Sequence, residues 1–295
     1  MVIRRAFAVW LMLGFSGCSA DFGGRCTEND ECAASEACTQ GYCLPADQVP
    51  DMGVAPARCG PGDAWDAHGV PCPDEATLAL WRFDDGFTPI AGPGQTAPTL
   101  TEGDPIGVLR VDAPAFAGGA AEFFGDSGQQ YGHSGSVRAA PPFTVELWVR
   151  PGAAADNRHR ALISNVQRDG DANRRGGFSV IIDQIEDNDP TRYRAGFEWT
   201  EGRGTTEVYS DAVLPRGVWG HVAVVVDAGR LHIVVNGEDA EFDAPNLPDR
   251  GADLQLGRIA DDRDRQFVGL LDEVRLSNSA REVSALQAIG RRAAP

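Results

Sequence analysis

From residue 76 onward the chain is written in short runs of alternating apolar and polar residues, broken by Gly, Pro and Asp. The alternation predicts strands at 77–83 (TLALWRF), 107–111, 120–124 (AAEFF), 143–150 (FTVELWVR), 161–166 (ALISNV), 177–183 (GFSVIID), 193–200 (YRAGFEWT) and 205–210. Further runs fall at 219–226, 230–236, 253–257 and 267–276. No long helical period interrupts them. Strands at roughly ten-residue spacing predict an all-β sandwich or barrel. The clearest piece is WGHVAVVVDAGRLHIVVNGE, residues 219–238. Val222, Val224 and Val226 share one face of a strand, and Leu231, Ile233 and Val235 share one face of the next. DAGR makes the turn between them. Asn236-Gly237 supplies a second turn of the kind in which both residues take positive φ. These strands are apolar on both faces in places, which puts them in the middle of a sheet. His221 and His232 are expected to face each other across this hairpin, as an ordinary cross-strand pair or as a metal pair.

Upstream of residue 76 the texture changes. AFAVWLMLGF, residues 6–15, is one apolar block between Arg4-Arg5 and Ser16-Gly17-Cys18. It is shorter than the roughly 20 residues of a membrane-spanning helix and has the layout of an export signal. Phe15-Ser16-Gly17-Cys18 resembles the lipobox of bacterial lipoproteins, with Phe where an aliphatic residue is usual. The resemblance implies cleavage before Cys18 and acylation of that cysteine. It implies an exported protein, lipid-anchored to the envelope, and Ser19 is compatible with the outer membrane or cell surface. The alternative is an ordinary signal cut after Ala20. Cysteine arithmetic bears on the choice: the chain has 7 Cys, and removing Cys18 leaves an even set, Cys26, Cys32, Cys38, Cys43, Cys59 and Cys72. An even set in an exported chain reads as disulfides. The first four lie in CTENDECAASEACTQGYC, residues 26–43, too short to bury a core and spaced too widely for the close ligand pairs of a zinc site. Their pairing is open. The segment is similar to small cysteine-rich repeats beside the anchors of bacterial surface lipoproteins. Residues 44–57 carry three prolines and read as a linker. Cys59 and Cys72 close a loop just before the main domain.

A wider resemblance lies downstream. ALWRFDDG, AAEFFG, FTVELWVRP, GFSVIID, WGHVAVVVDAGRLHIVVNGE, LQLGR and FVGLLDEVRLSNSAREVSAL occur in this order. Together they resemble the laminin-G-like jelly roll of the concanavalin-A-like lectin and glucanase superfamily, over residues 76–287. The resemblance implies two antiparallel sheets of six or seven strands, face to face. It makes SAREVSALQ a short closing helix, with Ser279 as cap and Glu282 completing a capping box. The expected organisation is a signal peptide at 1–17, a cysteine-rich segment at 18–45, a linker with a disulfide loop at 46–75 and the jelly roll at 76–287. The fold expectation is thus an all-β, two-sheet antiparallel jelly-roll sandwich preceded by a small disulfide-rich segment.

Charge and candidate chemistry narrow the function. The formal net charge is −17, which argues against nucleic acid as a partner. The basic residues are all Arg, which excludes Schiff-base lysines and the lysine-bearing phosphate loop. Glucanases of this superfamily present alternating acids along one strand. Here Glu146 and Glu198 each stand alone in their strands, and the neighbours Asp272 and Glu273 point to opposite faces. IEDNDP, residues 185–190, reads as a solvated loop. A non-catalytic protein is expected. The resemblance also implies one structural calcium at the sheet rim, with Asp84, Asp85 and Asp272 as candidate ligands. The same residues equally suit a turn and a local hydrogen-bond network. Tyr193, Ala195, Phe197 and Trp199 alternate onto one face, where they form either core or, in the case of Tyr193, Phe197 and Trp199, an exposed row for stacking on sugar rings. The expected function is a lipid-anchored surface protein whose jelly roll recognises a polysaccharide, a glycan or a surface protein. The alternatives are a divergent polysaccharide-cleaving enzyme and a structural envelope protein.

Overall fold

The computed structural model describes residues 36–39 and 42–45, and from 59 to 292 all but 61–62, 67–69, 85–87, 98–100, 103–107, 112–114, 116–117, 125–131, 138–139, 153–159, 169–173, 187–188, 190, 202–203, 248–251 and 260–264. In chain order the strands are β1 (Glu36–Thr39), β2 (Tyr42–Pro45), β3 (Thr77–Trp81), β4 (Thr101–Glu102), β5 (Val108–Val111), β6 (Ala120–Phe124), β7 (Gly132–Val137), β8 (Phe143–Pro151), β9 (Arg160–Ser164) and β10 (Gln167–Arg168). They continue with β11 (Arg174–Gly176), β12 (Phe178–Gln184), β13 (Arg192–Glu201), β14 (Gly204–Pro215), β15 (Gly220–Val226), β16 (Arg230–Val235), β17 (Glu238–Asp243), β18 (Ala252–Leu256) and β19 (Val268–Ser277), before the helix α1 (Val283–Gly290).

Two antiparallel sheets face each other. One has seven strands in the order β14-β13-β12-β9-β18-β7-β4. The other has eight, in the order β17-β16-β15-β8-β19-β6-β5, with β3 also paired to β19. This is the expected jelly-roll sandwich. Alternation fills its core: Phe143, Val145, Leu147 and Val149 of β8 meet Phe178, Val180 and Ile182 of β12 and Ala195 and Phe197 of β13 in one buried cluster. The 219–238 hairpins form as the pattern predicts. Val222, Val224 and Val226 stand opposite Val235, Ile233 and Leu231, and Asn236 and Gly237 have φ of 49° and 83°.

Strands apolar on both faces need a second cover, and α1 supplies it. Leu286 packs on Ala223, Val225 and Val234, which point away from the sandwich core. The helix begins differently from expectation. Its N-cap is Glu282, with no side-chain capping bond. The Ser279 carbonyl instead accepts the Thr144 hydroxyl at 2.8 Å, and the Arg281 N–H donates to the Thr144 Oγ1 at 3.0 Å. Thr144 thus holds the approach to the helix extended and moves its first turn past Ser279.

The loop before the sandwich is part of it, where the sequence suggested a linker. Cys59 and Cys72 form the expected disulfide, and within the loop Trp65 bridges to Pro71. Residues 64–66 and 70–74 lie as a strap against β8, β19 and the entry to α1 through the bonds described below. Of the other cysteines, Cys38 and Cys43 occupy paired positions across the β1–β2 hairpin. Cys18, Cys26 and Cys32 lie outside the described residues.

Candidate functional site

Beneath the strap lies a buried ionic cluster. Glu146 of β8 points outward from the sandwich and is fully buried. Arg275 of β19 sits beside it and donates Nε to its Oε2 at 3.0 Å, with Nη2 on the same oxygen. The Trp65 indole donates to Oε1 at 2.7 Å, and the His221 Nε2 lies 3.2 Å from that oxygen. The third arm of Arg275 bonds the carbonyls of Ala64 at 2.5 Å and Cys72 at 3.1 Å. Burial alone would raise the Glu146 pKa, but Arg275, His221 and Trp65 together hold it down at about 2. Next to this cluster Arg281 grips both oxygens of Asp74 at 2.8 Å. Both guanidinium groups lie over the Trp65 ring, at 4.8 and 5.5 Å. Every ion here has a partner, so the cluster is a clamp for the strap. The sequence left Glu146 solitary because its partners come from residues 65, 221 and 275.

His221 and His232 do not face each other. The backbone N–H of His221 donates to Asn236 Oδ1 at 2.9 Å, while His232 stands opposite Val225 and lies 3.1 Å from Asp239. The register is offset from the expected pairing, so the metal-pair alternative is excluded for these two.

A second acidic group surrounds β19. Asp272 is fully buried and accepts the N–H groups of Ala115 at 2.8 Å and Glu273 at 2.7 Å. A register shift between Asp272 and Arg275, with Glu273 at φ 48°, turns Glu273 into the interior as well. The expected opposite-face arrangement therefore leaves both acids buried. Arg82 approaches Glu273 to 3.5 Å, an ion pair without a hydrogen bond. Burial, and then the neighbouring acids, push both carboxyl groups up. Asp84 lies against Gly118, where a Cβ would fall 1.6 Å from its Oδ1, and that oxygen accepts the Gly119 N–H at 3.2 Å. Calcium needs six to eight oxygen ligands. Oδ1 of Asp84 and both oxygens of Asp272 are turned to backbone N–H groups, and among the described residues no three His, Cys, Asp or Glu side chains converge. This donor set does not fit the metal; Asp85 lies outside the described residues.

The aromatic row of β13 belongs to the core. Tyr193, Phe197 and Trp199 are 2 %, 0 % and 9 % exposed, and Phe197 stacks on Phe178 at 5.5 Å between centroids. The inner face of a sandwich is where an apolar row of this period is buried, so Tyr193 and Phe197 cannot stack on a ligand. Trp199, at the row's end, is different. It closes the floor of a groove of about 660 Å³ where the edge strands β14 and β17 of the two sheets meet. Thr206 and Val208 line one wall. Arg230, Glu241, Phe242 and Asp243 line the other, and Ala244, Pro245 and Asn246 form the end. Arg230 forms an ion pair with Glu241, its Nε 3.0 Å away, and donates Nη1 to Asp243 at 2.9 Å. The volume lies in the usual range of small-molecule sites. An aromatic floor, a planar cation, carboxylates and an amide suit orientation of a polar ligand with an apolar face. Of these residues only Trp199 was expected from the sequence. The signal for Glu241 to Asn246 was EDAEFDAPN, residues 238–246, a run too charged for a buried strand and therefore an edge; Thr206, Val208 and Arg230 carried no such signal.

Two packed antiparallel sheets with an open groove at one edge define a jelly-roll module. The chain belongs to the concanavalin A-like lectin/glucanases superfamily, whose family model matches residues 125–287. Among curated proteins none matches the chain. It is similar in structure to domain 4 of AbnA, a GH43 extracellular arabinanase from Geobacillus stearothermophilus, in complex with arabinotriose, at 21 % identity and TM-score 0.53, covering 72 % of this chain and 98 % of that one. The binding domain of Paraclostridial Mosquitocidal Protein 1 aligns at 12 % identity and TM-score 0.55 over 72 % of this chain. That of botulinum neurotoxin serotype G aligns at 13 % identity and TM-score 0.53 over 74 %. The chain spans about half the length of these two, 51 % of each. At these identities the likeness is one of fold.

Proposed function

We propose that the chain is a lipid-anchored, non-catalytic recognition protein of the bacterial envelope, whose jelly roll binds a carbohydrate or protein ligand outside the cell. The observation that carries this reading is the open, aromatic-floored groove between β14 and β17. The similar structures support it: one was solved with arabinotriose and two are named as binding domains. The leader ending in Cys18 and the even set of remaining cysteines support the anchor and the exported address. The reading has no place for nucleic acid, given the charge of −17.

A second reading, a divergent polysaccharide-cleaving enzyme, has one observation in its favour. Glu198 and Glu207 stand directly opposite each other on the outer face of the seven-stranded sheet. Glycosidases need two carboxyl groups in roughly this relation. Here the fully buried Glu198 carboxylate is paired with Arg265, which also reaches Glu207 at 3.9 Å. A carboxylate locked in an ion pair is a poor proton donor, which favours the recognition reading. The test is retention of the full chain, in detergent, on immobilised arabinan, xylan, β-glucan and chitin, with reducing ends followed in parallel. Retention without sugar release is expected. Release that a Glu198→Gln variant abolishes would establish the enzyme instead, and no retention on any polymer would leave a protein ligand.

A further inference from the structure

Resting on the recognition reading, we infer that the free edge of β14 takes up an extended, positively charged peptide segment of a partner protein as an added strand. Among the described residues β14 pairs only with β13, at the outside of the seven-stranded sheet. Its register is regular from Gly204 to Tyr209, opposite Glu201 to Gly196, before a bulge interrupts it. In an antiparallel pair every second residue turns its N–H and C=O away from the partner strand. None of the described backbone hydrogen bonds reaches that far side of Gly204–Tyr209. Gly204, Thr205 and Thr206 are exposed as well. Such an edge is a template on which another strand can form.

The two edges that frame the groove differ in how they meet this hazard. β17 reads EDAEFD, and its four acids are the usual defence against a stray strand. β14 reads GTTEVY over the regular stretch, rich in residues that favour strands. Its one charge there, Glu207, points to the outer face of the sheet beside Glu198. The undefended edge therefore faces an acidic one, and the pair selects the partner by charge. Exposed Glu238, Asp239, Glu241 and Asp243 outnumber Arg230 and His232, the cations of the neighbouring β16. A basic strand is drawn in, and an acidic one is repelled. The groove adds a second requirement. A strand beside β14 aims every second side chain into it. There Val208, Trp199 and the half-buried Phe242 offer apolar surface. The partner segment thus has apolar residues at alternate positions and a surplus of Lys or Arg.

The experiment titrates the full chain in detergent with a short peptide that alternates valine with lysine and threonine. A control peptide carries glutamate in place of lysine. Calorimetry gives the affinity, and NMR hydrogen exchange reads the amides of β14. The lysine peptide is expected to bind, more weakly as salt is raised, and the glutamate peptide to fail. Binding should slow exchange at every second amide from Gly204 to Tyr209 and shift the Trp199 indole signal. Methylating alternate amides of the peptide separates strand addition from plain charge attraction. In one phase the methyl groups should abolish binding, and in the other they should leave it intact. A Glu241→Gln, Asp243→Asn double variant should bind roughly fivefold more weakly, the scale of two exposed ion pairs. Binding without protection in β14, or equal binding in both methylated phases, would overturn strand addition. Preference for the glutamate peptide would overturn the charge assignment. Edge amides that become protected in the free chain as its concentration rises would give the edge to a second copy instead. Failure of every peptide would overturn the inference, while the recognition reading stands or falls separately, on retention by the immobilised polymers.

Discussion

The most consequential residues are acids whose burial has opposite results. Glu146 and Asp74 are each held at about 2, because arginine and hydrogen-bond donors outweigh the cost of burial. Groups lowered in this way stabilise the fold above their ordinary pKa, and that stability is lost as pH falls through the carboxylate range toward 2. Glu273 is raised to about 8, with burial as the leading cause. Between its ordinary 4.5 and about 8, the folded state keeps a proton that the unfolded chain has released, so stability falls as pH rises through that window. Thermal melting followed against pH should therefore peak on the acidic side of neutrality. Glu273→Gln should flatten the decline toward pH 8, since a neutral amide has no proton to lose; an unchanged slope would assign the decline to other groups. Arg275→Met tests the clamp itself. It leaves Glu146 buried with His221 and Trp65 alone and should cost about 3–5 kcal/mol in chemical denaturation.

At the scale of elements, the strap and the closing helix are cross-tied to the eight-stranded sheet. The strap is fastened by one disulfide and by the Arg275 and Arg281 bonds to residues 64–74. A Cys59→Ser, Cys72→Ser double variant should lose about 3 kcal/mol, the chain-entropy value for a loop of this length. Hydrogen exchange should then rise in residues 64–74 before it rises in β8. Gly237 joins the β16–β17 turn to the helix. Its φ is 83°, and a Cβ there would lie 2.6 Å from the Gln287 carbonyl. Gly237→Ala should cost more than the 1–2 kcal/mol of a left-handed residue alone, since the helix must also shift. A smaller loss would mean that α1 moves off the sheet easily. At the far edge, β17 has exposed Glu238, Asp239, Glu241 and Asp243, which blunts an otherwise open strand edge while framing the groove.

For the whole molecule, the proposed reading assigns anchoring, ligand binding and stability to different parts of the chain, so each can be perturbed separately. Under the lipoprotein reading, Cys18→Ala should move the protein from the membrane fraction to the soluble exported fraction, with its melting temperature unchanged. Retention in the membrane would point to another mode of attachment. The groove lies at the β14–β17 edge of the sandwich, whereas the strap covers the outer face of the eight-stranded sheet. Chelation separates the two readings of Asp272: with its oxygens on backbone N–H groups, EDTA should leave the melting temperature unchanged, and a fall would implicate a metal held with residues such as Asp85.

The alternation of apolar residues determined most strands, the one-sided row of β13 and the tandem hairpins, because a period of two can be satisfied only by a sheet with a buried face; that the β13 row faces the core was decided by the packed sandwich. The cysteine spacing placed the loop that Cys59 and Cys72 close. The short strands β1, β2, β4, β10 and β11 escaped that logic, and so did two longer ones. β7 reads GHSGSV, without apolar alternation, and β17 is charged because it is an edge. The site escaped it for a different reason. Arg230 and Asp243 lie thirteen residues apart and meet only because β16 and β17 pair in register. Trp199 reaches them from the other sheet. Glu146 needs Arg275, 129 residues away, to be an ion pair at all. One-dimensional periodicity reports which face is buried; it does not report which distant charges that burial brings together, and only the closed sandwich decided that.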